Sequence, residues 1–173
     1  MSLTREEEKL LSELKRLTLA HEALILASEV LEKAMTAARD RIAPTLTALS
    51  SEFIKDATNG RYDQVNVDAS LRLSYTSEGT TRPPEHLSES TKDIVYLAFR
   101  LSLVSILFPD TPPVIIDEGF AGMDDERLAL TLSALSNRAK DLSYQIFLFS
   151  PTTREASVGE KLGTSIITMP KRQ

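Results

Sequence analysis

The sequence predicts an α/β fold in which helices flank a mainly parallel sheet, with a coiled-coil-like helix at the N-terminus and a β-hairpin after it. Three observations predict this fold. A heptad seam of apolar residues runs through the first 42 residues, which is typical of a coiled coil. Three β-branched residues follow each other at 114–116, which suits a strand in a parallel sheet. Apolar stripes at helical spacing precede and follow that strand.

Length, charge and cysteine content narrow the possible functions. The 173 residues fit one domain, and the net charge of -5 gives no support for non-specific nucleic-acid binding. The absence of cysteines excludes disulfides, thiolate metal sites and cysteine nucleophiles. No apolar run is long enough to cross a bilayer, and the N-terminus is charged rather than signal-like. We therefore expect a cytoplasmic protein without a membrane partner.

Residues 1–57 are predicted to form a long helix, the root of a coiled-coil arm, ahead of a lobe formed by residues 58–173. We expect the seam to pair with an antiparallel helix, because the rest of the chain is too small to bury it. His21 lies in the seam without a second His or Cys at metal spacing, so we assign it no chemistry. Pro44 is expected to start a new helix or to kink this one. The seam residues are Leu10, Leu14, Leu17, His21, Leu24, Ser28, Leu31, Met35, Ala38 and Ile42.

An antiparallel hairpin is predicted after the long helix. Asn59–Gly60 ends the helix, and apolar residues then alternate at 65–67 and again at 71–75, on either side of a turn at Asp68–Ala69. Residues 77–85 contain a glycine and two consecutive prolines. We expect that stretch to be a loop without β-ladder pairing.

The most informative stretch is residues 113–128, with the sequence PVIIDEGFAGMDDERL. We expect its strand to be buried on both faces and to end in Asp117 and Glu118. Ligands of open α/β sheets bind at the carboxyl ends of the strands. Two acids there suit phosphoryl transfer, one near Mg²⁺ and one orienting the attacking water. The alternative is a strand followed by an acidic helix start, because acids at 124–126 favour a helix N-terminus in any protein.

Further elements are predicted on both sides of this stretch. Residues 90–93 have capping-box form, so a helix with a broad apolar face should start close to Ser90 as its N-cap. The positive end of a helix dipole can bind an anion there. A helix with an apolar stripe over 128–142, a strand at 144–149, a helix near 154–162 and a strand at 165–169 should complete the sheet.

The segment DEGFAGMDDERL resembles the Walker B and D-loop segment of the ABC-type ATPase heads of SMC proteins and of related DNA double-strand-break repair ATPases. LSEST at 87–91 resembles their signature motif, and the two occur in the family's order. The resemblance covers residues 61–169 as the C-terminal lobe of such a head, a P-loop NTPase fold. It implies Asp117 as a metal ligand for Mg²⁺ and Glu118 as the catalytic residue that polarises water. The nucleotide-binding residues that it implies are Leu87, Ser88, Glu89, Ser90, Thr91, Gly122, Met123 and Asp124.

The sequence departs from that family in three places. Ser90 stands where the signature motif normally has glycine, and Pro151 stands where a switch histidine normally senses the γ-phosphate. No G-x-x-x-x-G-K-[ST] loop occurs, since the six glycines at 60, 79, 119, 122, 159 and 163 cannot form one. We therefore interpret the chain as half an ATPase head with the root of its arm. ATP and Mg²⁺ are expected only in the complete head.

Three functions remain open. The first is the C-terminal half of an SMC-like head in DNA repair or chromosome maintenance, an ATPase only when a P-loop lobe of the same or another chain completes it. Its further partners would be a second head in an ATP-dependent dimer and DNA, the latter implied by the resemblance alone. The second is a degenerate head that acts as an interaction or dimerisation module. The third is a metal-dependent nuclease or phosphatase that uses Asp117, Glu118, Asp124 and Asp125.

Overall fold

A computed structural model describes residues 2–68, 70–108, 110 and 112–169, with side chains described from Thr4 onward. The chain divides into two units, one ending at Arg41 and the other beginning at Ile42. Helix α1, Ser2–Ala57, forms the first unit and the beginning of the second. Within the described ranges, none of the helices combines the length and the apolar character needed to span a membrane.

The first unit is a helix whose surface is open to solvent. Every described side chain from Thr4 to Ala38 is exposed. The predicted long helix is confirmed, and the described residues of the chain leave its seam from Leu10 to Ala38 uncovered. A run of uncovered leucines of this length is characteristic of a helix that pairs with another helix. The large exposed apolar residues are Leu10, Leu11, Leu14, Leu17, Leu19, Leu24, Ile25, Leu26, Val30, Leu31 and Met35.

In the second unit, the last turns of α1 belong to the hydrophobic core. Pro44 lies inside α1, so the helix does not start anew there, and the alternative of a kink at this proline stays a prediction. The predicted end of the helix is confirmed, because Asn59 and Gly60 adopt φ angles of 49° and 75°. Residues in this left-handed conformation close helices, and the Gly60 N–H donates to the Lys55 carbonyl at 2.8 Å. Phe53, Ile54 and Ala57 belong to the same buried cluster as residues of the later strands and helices of the unit.

The predicted hairpin is confirmed by strands β1, Gln64–Val67, and β2, Leu73–Ser77, which pair antiparallel with Val65 opposite Tyr75. The predicted turn residue Ala69 lies outside the described residues. Leu71 lies outside β2 with a φ of 59°, so it does not continue the alternation that the sequence suggested.

A third antiparallel strand, β3 at Thr80–Arg82, pairs with β2. The prediction that residues 77–85 form a loop without ladder pairing is therefore wrong. Glu78 and Gly79 have φ angles of 50° and 74°, which is the backbone of a two-residue turn that matches the twist of a hairpin. The prolines follow β3, where they interrupt no ladder bond; Pro84 opens a single 3₁₀ turn, Pro84–His86.

The remaining elements alternate helix and strand. They are α2 at Glu89–Leu107, β4 at Val114–Asp117, α3 at Asp125–Asp141, β5 at Ile146–Phe149 and α4 at Thr153–Lys161. Strands β4 and β5 are parallel, with Asp117 opposite Phe149 at their carboxyl ends. The predicted α/β class is confirmed. The predicted strand at 165–169 is wrong, since residues 164–169 form neither helix nor strand in the structure.

The described residues of the chain cover only one face of the β4–β5 sheet. Val114, Ile116, Ile146 and Leu148 pack against the core. On the opposite face Ile115 is 67% exposed, and Phe147 and Phe149 are also exposed. The expectation that β4 is buried on both faces is therefore wrong for this chain, because no described element lies on the second face. The described core of the unit consists of Phe53, Ile54, Ala57, Val65, Tyr75, Leu87, Ile94, Val95, Ala98, Leu101, Phe120, Met123, Leu128, Leu132, Ala134 and Leu135.

Candidate functional site

The two predicted carboxylates lie at the carboxyl edge of the parallel sheet. Asp117 is the last residue of β4, and the N–H of Glu118 donates to the Phe149 carbonyl at 3.0 Å, one residue beyond the strand. Both residues are exposed. Glu118 has a φ of 50°, a conformation that costs a non-glycine residue about 1–2 kcal/mol. Strain of this kind is often found where a side chain must be aimed at a ligand.

The segment that follows, residues 118–124 and here called the β4–α3 loop, makes a tight turn between β4 and α3. A Cβ built on Gly119 would lie 2.8 Å from Cγ2 of Ile116, so only glycine fits there without a shift of the strand. Gly122 is different, because a Cβ there would meet no atom within 4 Å. The loop therefore has a closely packed beginning and an open, exposed tip.

Two buried residues and one cap fix this loop on the core side. Phe120 and Met123 belong to the hydrophobic core, and the Met123 N–H donates to the Phe120 carbonyl at 3.1 Å. Asp124 is the N-cap of α3, and its Oδ1 accepts from the Arg127 N–H at 2.9 Å. An N-cap of this kind satisfies one of the free N–H groups of the helix.

Arg154, in the first turn of α4, holds the same loop from the other side. Its Nη1 donates to the Met123 carbonyl at 2.8 Å and its Nη2 donates to the Phe120 carbonyl at 3.0 Å. The guanidinium also lies 3.7 Å from Asp125 and 3.5 Å from Glu155. A planar fork with several donors is the group best suited to bind two carbonyl oxygens at once.

The segment after β5 is organised by the buried carboxylate of Glu155. Its Oε2 accepts from the Ser150 hydroxyl at 2.9 Å and from the Thr152 hydroxyl. Burial raises the pKa of Glu155. The hydrogen bonds from Thr152, from its own backbone N–H and from Ser150 lower that pKa, as does the charge of Arg154, and together they outweigh the effect of burial. The net effect is a lowered pKa, so the carboxylate is ionised at neutral pH.

A cavity of about 230 Å³ opens between these groups at the carboxyl ends of β4 and β5. Glu118 and Gly119 line one side, and Pro151, Thr152 and Arg154 line another. The described groups around it offer carboxylate and hydroxyl oxygens together with one guanidinium. Such an edge can position a water molecule and a metal-bound anion.

The LSEST segment, residues 87–91, begins helix α2. The N-cap is Ser88 and not Ser90, which corrects the predicted helix start. Ser88 and Glu89 are exposed, whereas Leu87, Ser90 and Thr91 are buried. The Ser88 hydroxyl lies 2.9 Å from that of Thr91, so the exposed hydroxyl is anchored to a buried one.

Glu89 carries its own counterion. Lys92 donates to Glu89 Oε1 at 2.8 Å, one helical turn along the exposed surface. That hydrogen bond raises the pKa of Lys92, against a smaller opposing effect of burial. A cation therefore accompanies the acid at the start of α2.

Ser90 is turned inward to an arginine of α3. Arg127 Nη1 donates to Ser90 Oγ at 2.5 Å and lies 3.3 Å from Ser88 Oγ, and its Nε lies 3.5 Å from Oδ2 of Asp124. The side chain that replaces the expected glycine is 8% exposed and does not stand on the solvent side of the segment. Arg127 thus connects the LSEST segment with the β4–α3 loop.

Comparison with known proteins identifies the fold. No family model and no curated protein matches the sequence. The structure matches an SMC ATPase described together with ATP-driven dimerization and DNA-stimulated activation, with a TM-score of 0.59 and 15% identity over 71% of this chain and 77% of that one. It also matches the SMC head domain of Thermotoga maritima, with a TM-score of 0.54 and 20% identity over 71% of this chain. This chain has the fold of an SMC head domain.

The Smc head domain of Pyrococcus furiosus, which carries an extended coiled coil and is bound to the C-terminal domain of ScpA, gives a TM-score of 0.55 and 17% identity over 89% of this chain. This chain spans 44% of the Thermotoga chain and 40% of the Pyrococcus chain. The resemblance found in DEGFAGMDDERL and LSEST is confirmed at the level of the fold. Both segments lie in the second unit of the chain.

Arg127, Arg154 and Glu155 also contribute to this candidate site. The sequence assigns no role to Arg127 or Glu155, and it suggests Arg154 only as one of three residues near enough to Pro151 to substitute for the missing switch histidine. A signal was present for the arginines. Both lie in the first turn of a helix, where the macrodipole disfavours a cation. An arginine at such a position needs specific partners, and the Ser90 hydroxyl and the loop carbonyls supply them. Glu155 is the opposite case, because an acid in a first turn is ordinary and gives no signal.

Within the described residues, no group of three His, Asp or Glu side chains is placed to hold a metal ion. Magnesium binds through one or two carboxylates together with water and phosphate oxygens. Asp117 is an exposed carboxylate on a rigid strand end, so it fits that mode. Asp124 and Asp125 face Arg127 and Arg154 instead.

Proposed function

We propose that this chain is the C-terminal half of an SMC-like ATPase head. It would contribute the signature motif, the Walker B acids and the D-loop to a nucleotide site, and a P-loop lobe of the same or another chain would complete that site. Binding and hydrolysis of ATP would occur only in the completed head. Asp117 and Glu118 supply the acids, residues 121–124 the D-loop, and residues 87–91 the signature motif.

The observation that carries this proposal is the open parallel sheet. Strands β4 and β5 end in Asp117 and Phe149 at one edge, and Ile115, Phe147 and Phe149 expose an apolar face beside it. Parallel sheets occur almost only with both faces covered. A P-loop lobe that adds structure to this sheet would cover the face and bring a phosphate-binding loop to the same edge as the acids.

The chemistry assigned to each acid follows from its position. Asp117 would hold Mg²⁺, which when bound neutralises phosphate charge. Glu118 leaves the sheet at a strained backbone angle toward the cavity, so its carboxylate would orient and polarise the attacking water. Because the chain lacks a phosphate-cradling loop in its sequence, the remaining phosphate contacts would come from the other lobe.

The start of α2 would serve a second head. Ser88 is the exposed N-cap of a 19-residue helix, and free N–H groups at such a terminus favour an anion. In an ATP-dependent dimer these groups would contact the γ-phosphate of ATP held by the opposite head. Ser90 does not obstruct that contact, since its hydroxyl faces Arg127.

The arm and the wider role extend the proposal. The exposed seam of α1 would pair with an antiparallel helix of the arm. One of the matched SMC ATPase structures is described with DNA-stimulated activation. The segments DEGFAGMDDERL and LSEST resemble those of DNA-repair ATPases. We therefore propose that this chain acts on DNA, in repair or chromosome maintenance.

A degenerate head that serves as a dimerisation module is the second candidate, and one observation favours it. Pro151 lines the cavity where a proton-donating side chain would sense the γ-phosphate, and proline has no such group. A metal-dependent nuclease has weaker support, because two of its four acids, Asp124 and Asp125, face arginines.

The test compares the chain alone with the chain completed by a P-loop lobe, in the same polypeptide or in trans. The lobe would be chosen by its G-x-x-x-x-G-K-[ST] motif from sequence encoded upstream or nearby. Calorimetry should detect no micromolar ATP affinity in the chain alone, and binding with hydrolysis in the completed head. Tight binding of Mg-ATP by the isolated chain would contradict the half-head proposal. Binding without hydrolysis would favour the degenerate module.

A further inference from the structure

We propose that Arg127 and Arg154 are a pair of positioning residues that hold the β4–α3 loop from two sides. The proposal rests on the proposed ATPase function, because that loop would be the D-loop of the completed head. Arg127 would link the loop to the signature serines, and Arg154 would link it to the segment after β5.

Arg154 fixes the backbone of the loop. It donates to both the Phe120 and the Met123 carbonyls, the same two residues that are joined by the turn bond from Met123 N–H to Phe120 O. Its orientation is set in turn by Glu155, whose carboxylate is held by Ser150 and Thr152. A displacement of residues 150–152 would therefore move the β4–α3 loop through the Glu155 carboxylate and the Arg154 guanidinium.

Arg127 fixes the other end. Its side chain contacts Ser90 Oγ, Ser88 Oγ and the Asp124 carboxylate, and its backbone N–H is capped by the same carboxylate. The exposed serine that would meet a nucleotide on the second head and the last residue of the loop thus share one guanidinium. Arginine presents donors in several directions in one plane, which lysine cannot reproduce.

The placement of both cations argues against an incidental role. Each lies in a first helical turn, where the helix dipole opposes a positive charge. Local rules are broken in this way mainly at functional sites, where another interaction compensates. Here the compensation comes from groups of the loop itself and from the serines next to it.

The first test measures the loop in the chain as it is. The variants are Arg154→Gln, Arg154→Lys and Arg127→Gln, and Arg100→Gln on the exposed side of α2 is the matched control. Loss of a hydrogen bond to a charged donor should raise amide exchange of Met123 in Arg154→Gln by about tenfold or more, with Arg154→Lys in between. Arg127→Gln should raise exchange of the amide of residue 127, which the Asp124 carboxylate caps, by a similar factor. Exchange no faster than in the control would overturn the proposal.

The second test uses the completed head. We expect Arg154→Gln to lower kcat for ATP hydrolysis by at least about tenfold with ATP affinity retained, and Arg127→Gln to weaken ATP-dependent pairing of heads. If the melting temperatures of the variants are close to that of Arg100→Gln, a loss of activity is due to positioning and not to a folding defect. Faster exchange in the variants with unchanged kcat and pairing would overturn the positioning role. If the parent head binds no ATP, the proposed ATPase fails, and amide exchange alone decides whether the arginines hold the loop.

Discussion

The N–H of Glu118 donates to the carbonyl of Phe149 at 3.0 Å, which extends the β4–β5 ladder one residue past Asp117. This bond fixes the backbone of Glu118 while its left-handed φ turns the side chain away from the strand direction. The two acids are adjacent in sequence but emerge from the sheet with different backbone geometry. Their roles should therefore be separable by mutation.

In a completed head, we expect Glu118→Gln to retain nucleotide binding and to lower hydrolysis by at least about 100-fold, since it removes the charge that acts on water. ATP should then hold two heads together. Asp117→Asn should weaken Mg-dependent nucleotide binding itself, because it removes a charge from the surroundings of the metal. The measurements are affinity, steady-state turnover and ATP-dependent dimerisation. Identical behaviour of both variants would argue against separate roles.

The sequence predicted the parts of the site that local patterns encode. The β-branched run at 114–116 and the acids after it predicted β4 and its edge, and LSEST predicted the N-cap of α2 to within two residues. Contacts between distant segments could not be predicted, because no local pattern states that Arg127 reaches Ser90 or that Arg154 reaches Phe120. Ser90 was expected at the N-cap, since its spacing to Asp93 fits a capping box. In the structure the helix begins earlier, and the Ser90 hydroxyl accepts from Arg127, a contact between distant segments that the local pattern does not contain.

Two errors in the fold have physical causes. At the turn Glu78–Gly79 a glutamate adopts the left-handed conformation. Glutamate is not a typical turn residue at such a position, so the sequence did not predict the hairpin turn or the strand β3 after it. The continuous apolar run of β4 suggested burial on both faces, yet Ile115 is exposed. The apolar run is typical of a strand with both faces buried, but the described residues of this chain do not bury the second face of β4.

The exposed seam of α1 should drive self-association of the isolated chain. Leu17 and Leu24 are both exposed and lie one heptad apart on the same stripe. We expect concentration-dependent association in sedimentation, which Leu17→Asp together with Leu24→Asp should abolish. Lys15→Asp with Glu22→Lys, off the seam, should leave association intact. A parent chain that stays monomeric at high concentration would count against a pairing seam.

Protonation of Glu155 in acid should remove the stability that its ionised carboxylate contributes to the second unit. The lowered pKa of Glu155 means that its carboxylate stabilises the fold at pH above the ordinary value of 4.5, and that this contribution is lost as the pH falls through the lowered value. Glu155→Gln should lower the free energy of unfolding by about 1–2 kcal/mol at pH 7. Denaturant titrations at several pH values should show the gap between variant and parent closing below pH 4.5. A gap that stays constant into acid would contradict the ionic role of this group.

Gly119 and Gly122 provide a matched pair that separates packing inside the chain from contact with a second head. Ala at 119 would place its Cβ 2.8 Å from Cγ2 of Ile116, a β-branched side chain with restricted χ1 rotation, so Gly119→Ala should cost about 1–3 kcal/mol of stability. Ala at 122 meets open space, so Gly122→Ala should change stability by less than about 0.5 kcal/mol. Chemical denaturation of both variants measures this difference.

The same pair tests the loop tip in the completed head. If residues 121–124 approach a second head closely, as the D-loop assignment requires, a methyl group at 122 should interfere there although it is harmless in the chain alone. We expect Gly122→Ala to fold like the parent, to bind ATP in the completed head and to pair less tightly with a second head. Exposed Ser157 on α4 gives the control, since Ser157→Ala changes a similar volume away from the loop. Pairing of Gly122→Ala as tight as that of Ser157→Ala would show that the tip makes no close contact, and the D-loop assignment would lose its support.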